Sequence, residues 1–171
     1  MHTVLFLCVR VLHILIGAVW IGSTVFSALM VTPAIEASGT SGGHVMMRIN
    51  KRGLVAYFAV LGATTIVTGL YLFWHFTGFT SDLMVEHAGI AFATGGVSGM
   101  LAALVGGAVV GRSAHEIGAV MAQASRLADG PDKGTLMIRA TTLRTRIQYG
   151  TRAVIGLQFI ALVLMAVGHY V

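Results

Sequence analysis

His13, His75, His87 and His169 fall one to each of four apolar segments of a 171-residue chain. A neutral imidazole is a good ligand for iron, copper and zinc, so four histidines brought together are the residues of a metal or haem site. Whether they come together depends on the elements that carry them.

Uncharged runs, counting His as neutral, extend over 11–35, 53–81, 87–111 and 153–171. Each is near or above the roughly 20 residues that cross a bilayer core as a helix. The expected fold is an all-α integral membrane protein, a four-transmembrane-helix up-down bundle forming one domain over 1–171. Its helices are expected at about 4–35, 53–77, 84–111 with an extension to about 126, and 135–171, of which about 150–171 lies in the membrane. A chain that is 56% hydrophobic and 10% charged, with mean hydropathy +0.86, is excluded as a soluble globular domain.

The net charge of +5 is a topology signal and no sign of nucleic-acid binding. Arg48, Lys51 and Arg52 separate the first two segments, and Arg112, Arg126, Lys133, Arg139, Arg144, Arg146 and Arg152 separate the last two; Arg10 alone stands apart. The positive-inside rule puts both basic loops in the cytoplasm, with the termini and the Asp82/Glu86 loop outside. An N-out/C-out multi-pass protein of a bacterial inner membrane is expected. The first run is too long for a signal peptide and lacks a basic region before its core, so it reads as a retained helix.

With this threading the four histidines occupy one slab near the outer face. Arg10 snorkels to the interface and puts His13 about one turn, or ~5 Å, below it. His75 closes the second segment, His87 opens the third and His169 ends the fourth. Helical phase agrees. His13 shares a stripe with Gly17, Trp20, Thr24 and Ser27; His75 follows Thr64, Thr68 and Tyr71; His87 aligns with Thr94 and Ser98, and His169 with Gln158. An interior face collects the polar groups that lipid rejects. One such histidine reads as a wet interfacial side chain, whereas four agreeing in depth and phase read as a site.

A b-type haem needs axial imidazoles from facing helices and small residues against the macrocycle. Gly17, Gly89 and Gly168 lie close in sequence to His13, His87 and His169, and Arg10 is placed to pair with a propionate or to anchor the helix. Copper is the alternative, using the same histidines with Met84 and Met165 as soft thioether donors. Other chemistries fail on spacing. A single Cys8 allows no internal disulfide, no Cys-x-x-Cys-His exists for covalent haem, and His115-Glu116 lacks a second His because Ala119 stands there. Gly95, Gly96 and Gly99 have no Lys after them to form a phosphate loop.

The run from Arg10 to Ser23, with Leu12-His13 and Trp20 inside it, followed by Phe26 and Thr32-Pro33-Ala34, resembles the opening helix of CopD-type copper-resistance membrane proteins. It is also similar to that of HemJ-type protoporphyrinogen oxidases, whose Leu-His supplies a haem ligand. The likeness covers about 25 residues. It implies a haem- or copper-handling polytopic protein with His13 as the carried-over ligand.

The function expected is that of a membrane-bound b-type haem protein exchanging single electrons near the outer, periplasmic face. Its partners would be a lipid quinol or quinone, or a periplasmic redox species; an open axial position would make it a haem-dependent oxidoreductase. A copper-binding or copper-transporting protein and a structural subunit without a centre are the other readings. The Gly-rich third helix is the expected tight contact, within the chain or in a homo-oligomer.

Overall fold

The computed structural model describes residues 2–78, 86–168 and 170. Helices α1 (His2–Phe26), α2 (Thr32–Ala37), α3 (Gly39–Lys51), α4 (Leu54–Thr77), α5 (His87–Val105), α6 (Arg112–Ala124) and α7 (Pro131–Val167) account for nearly all of them. No strand occurs among the described residues. Four helical stretches, Thr3–Ala37, Leu54–Thr77, His87–Ala124 and Pro131–Val167, are long and apolar enough to cross a membrane. The chain is a multi-pass membrane protein.

Its packing is that of a protein whose solvent is lipid. Large apolar side chains such as Leu15, Leu29, Val67 and Leu104 point outward, whereas most of the buried positions are small or polar, among them Ala102, Thr24, Thr68, Ser98 and Gln158. Lipid tails are as apolar as leucine, so nothing drives leucine inward, and close approach of small residues holds the helices together.

Two π-helical turns interrupt the spans, at Ser27–Val31 between α1 and α2 and at Gly106–Gly111 between α5 and α6. The first has a covalent cause: Pro33 has no N–H for the Leu29 carbonyl, and the Thr32 N–H reaches five residues back to Ser27. The second holds three glycines, the weakest helix formers after proline. It aims Val109 and Val110 at Gly150 of α7, where a Cβ would come within 2.9 Å of Val110.

The helices α5 and α7 run antiparallel. Phe92 near the start of α5 lies against Gly168, which follows the end of α7, and Gly106 after α5 meets Val154 of α7. Trp20, Ala102 and Val154 join α1, α5 and α7 in one cluster. Beyond the apolar stretches, α6 and the first half of α7 form a hairpin around Val120, Ala140 and Leu143, with Arg139 donating to Glu116.

The expected boundaries shift in three places. Residues 39–51, expected as a loop, form α3: Gly39 takes a positive φ of 55°, and Gly42 packs so closely on the Ile35 carbonyl that no Cβ fits. The third helix begins at His87 rather than about 84, and residues 84 and 85 lie outside the described set. The fourth begins at Pro131 rather than about 135, because a proline suits the first turn, where its missing N–H has no partner to lose.

A histidine-walled candidate cofactor site

The helices α1 and α4 meet through three side-by-side contacts. The His13 ring lies over Gly69, Gly17 faces Thr65, and Trp20 lies over Gly62, so that moving up α1 means moving down α4. Seven residues separate both the two rings and the two glycines that receive them, which is about two turns on each helix. A Cβ at Gly69 would stand 2.9 Å from His13 Cε1, and one at Gly62 would stand 3.2 Å from Trp20 Cζ2. Both aromatic rings reach the interior because α4 is bare at those points.

The same approach orients the imidazole. His13 Nδ1 lies 3.0 Å from the Thr65 carbonyl oxygen and 3.0 Å from Thr68 Oγ1. A carbonyl only accepts, so Nδ1 carries the proton and donates. The Thr68 hydroxyl gives its own proton to the helix, 2.7 Å from the Thr64 carbonyl, and is left as a second acceptor. With Nδ1 protonated, the lone pair of a neutral ring is on Nε2. A backbone carbonyl on one ring nitrogen is the usual outer support of a histidine that ligates a metal through the other.

His13 is part of the wall of a cavity of about 370 Å³ between the spans. Phe6, Arg10 and Trp20 join it from α1; Gly69, Phe73 and Phe76 line it from α4. The helix α5 adds Phe92, Gly96, Gly99 and Met100, and α7 adds Met165. Phe76 and Phe92 meet edge to face, centroids 5.4 Å apart, and tie α4 to α5 at this end. No neighbouring atom lies near where a Cβ would sit on Gly96 or Gly99. Trp20 and the Thr24 to which Gln158 donates at 3.4 Å lie deeper in the bundle. Gln158 is 2% exposed and its Oε1 accepts no hydrogen bond among the described residues.

The remaining expected site residues separate. Arg10 lines the cavity with an exposed side chain, and Gly17 serves the α1/α4 contact instead of the cavity. His75 is exposed, its ring 4.9 Å from that of Phe6 and 6.0 Å from that of Tyr71. It is at the same end of the helix pair as His13 but outside the cavity wall. His87 is the exposed first residue of α5. It keeps the phase of Ala91, Gly95 and Ser98, which are buried, but stands at the helix end; Thr94, expected on that face, is exposed. His169 and Met84 lie outside the described residues. Among the described residues no three His, Cys, Asp or Glu side chains gather as metal ligands.

Sequence reasoning missed Met100, Gly69, Gly96 and the phenylalanines. The tight contact expected of the Gly-rich third helix is made at Gly95, where a Cβ would be 3.3 Å from Met165 Cγ of α7, and not at Gly96 or Gly99. Met165 carried a signal as a soft donor one turn before His169; Met100 carried none. No protein family, characterised protein or solved structure matches this chain.

Proposed function

We propose that the cavity takes a b-type haem that His13 would hold, in a multi-pass protein of a bacterial inner membrane that handles single electrons near the outer face. The observation that supports this best is the Nδ1 bond from His13 to the Thr65 carbonyl, which leaves Nε2 as a ligating lone pair in the wall of an apolar cavity. The volume of 370 Å³ is within the range of roughly 300–1,000 Å³ that small-molecule sites occupy. Gly96 and Gly99 leave open space beside the wall for a planar ring, and Arg10 would be the cation for its carboxylates. Met100 or Met165, both in the wall, would be a second donor to the group; His75 and His87, outside the wall, are less well placed.

When bound, the group would supply one-electron iron chemistry, with a quinol or a periplasmic redox species as the exchange partner. The chain's own part is to hold His13 by Thr65 and Thr68 and to exclude water with phenylalanine. The cavity is at the end of α1 and α4 away from Arg48, Lys51 and Arg52, so the positive-inside rule supports an outer, N-out/C-out location. The likeness of the Arg10–Ser23 run to CopD-type and HemJ-type opening helices supports the same histidine.

Copper is the second reading, favoured by one observation: two thioethers, Met100 and Met165, share the cavity with His13. Metal and haem analysis of purified His13→Ala, Met100→Leu and Met165→Leu separates the two. The haem reading expects His13→Ala to lose the pigment and each leucine variant to retain it; metal without pigment, lost with either methionine, overturns it in favour of copper.

A further inference from the structure

At the opposite end from the haem candidate, and independent of it, α3 ends in an open, shallow hollow of about 400 Å³ formed by the end of that helix alone, Val45, Arg48, Ile49, Lys51 and Arg52, with an almost wholly apolar wall. We propose that this end of α3 binds the headgroup of an anionic phospholipid, the phosphate on the three exposed cations around the hollow and the apolar part of the lipid in the hollow at Val45 and Ile49.

The placement follows from the backbone. The Arg52 N–H donates to the Arg48 and Ile49 carbonyls, each at 3.1 Å, and the Gly53 N–H to the Asn50 carbonyl at 3.0 Å. Gly53 then takes a left-handed φ of 91°, and the spanning helix α4 starts at the next residue, Leu54. The cations are therefore fixed within a turn or two of the point where the chain enters the apolar layer, which is the depth of lipid phosphates. A non-glycine residue at position 53 would strain that turn.

Charge argues for the occupant. Arg48, Lys51 and Arg52 are all exposed and make no ion pair among the described residues. Glu36, the one carboxylate between the first two uncharged runs, accepts from Gln148 at 3.2 Å. Three like charges within five residues repel one another unless an anion joins them. Val45, 48% exposed on the same hollow, distinguishes a lipid from a free phosphate, which has no use for an apolar wall.

The test is native mass spectrometry of the detergent-solubilised full chain, with phosphatidylglycerol as probe, phosphatidylcholine as neutral comparison and inorganic phosphate as competitor. Phosphatidylglycerol is expected to be retained at least about tenfold better than phosphatidylcholine. Arg48→Gln, Lys51→Gln and Arg52→Gln should each weaken it about fivefold, and the triple variant on the order of a hundredfold. Arg126→Gln, an exposed cation elsewhere, should leave it unchanged. Each single change removes one exposed side chain, so the singles decide the matter even if the triple variant misfolds. Equal retention of the two lipids, equal loss in Arg126→Gln, or displacement of the lipid by inorganic phosphate would overturn the proposal.

Discussion

His13 and Gly69 form one joint between α1 and α4: a Cβ on Gly69 would press on Cε1 at 2.9 Å, while Nδ1 of the same ring reaches the Thr65 carbonyl, one turn earlier, at 3.0 Å. The glycine makes the approach possible and the carbonyl fixes the ring. Gly69→Ala should therefore destabilise the chain by about 1–3 kcal/mol, the cost of overpacking a filled contact. Gly96→Ala, with open space beside it, should cost under about 1 kcal/mol. Thermal unfolding in detergent distinguishes them, and equal melting temperatures would remove the joint from the account.

Thr68→Val keeps the volume of the side chain and deletes one of the two acceptors on His13 Nδ1. Loss of such outer support typically weakens metal binding by about 10- to 100-fold; because the Thr65 carbonyl remains, a loss near tenfold is expected. Haem titration of the two proteins reads it, and unchanged affinity would show that Thr68 does not steady the ligand.

Among the described residues, the buried Gln158 has no partner for Oε1 and one long bond from Nε2 to Thr24. Gln158→Leu should change stability by less than about 1 kcal/mol, since it removes one weak bond together with an unsatisfied group. Gln158→Glu puts an ionisable group at the same depth and should cost more, by about 2 kcal/mol or above. If unfolding shows the leucine variant to be the less stable of the two, Oε1 has a partner that this account lacks.

At the tip of the α6/α7 hairpin, the Lys133 ammonium bonds to Asp129 Oδ1 at 2.6 Å and holds that carboxyl below its ordinary value of 3.8. A lowered carboxylate pKa stabilises the fold above the unfolded value and ceases to do so as pH falls through the folded one. The start of α7 should then exchange its amide hydrogens faster, relative to the intrinsic rate, once acid has protonated Asp129 than at neutral pH. Asp129→Asn should abolish that pH dependence while leaving the spans unaffected, and a dependence that survives the substitution would assign it elsewhere.

The four spans were legible in the sequence because charge is excluded from 11–35, 53–81, 87–111 and 153–171, and lipid enforces that exclusion residue by residue. The helix α3 was not, since Gly39, Gly42 and Gly43 read as loop formers and only the closeness of Gly42 to Ile35 shows their use. His13 was legible from its stripe with Trp20 and Thr24. Its counterpart Gly69 was hidden among 22 glycines, because a notch is defined by what fills it. His75 and His87 stand near the helix ends, as expected, but a residue at a helix end has few neighbours to cover it, and both are exposed instead of facing inward.

The most direct measurement is an optical spectrum of the purified protein from haem-supplemented expression, air-oxidised and then dithionite-reduced, with metal analysis on the same sample. The account predicts a Soret band that shifts on reduction with sharp α and β bands, and iron in proportion to chain. A colourless sample free of iron would contradict it and leave His13 as a half-buried hydrogen-bonding residue of the α1/α4 contact.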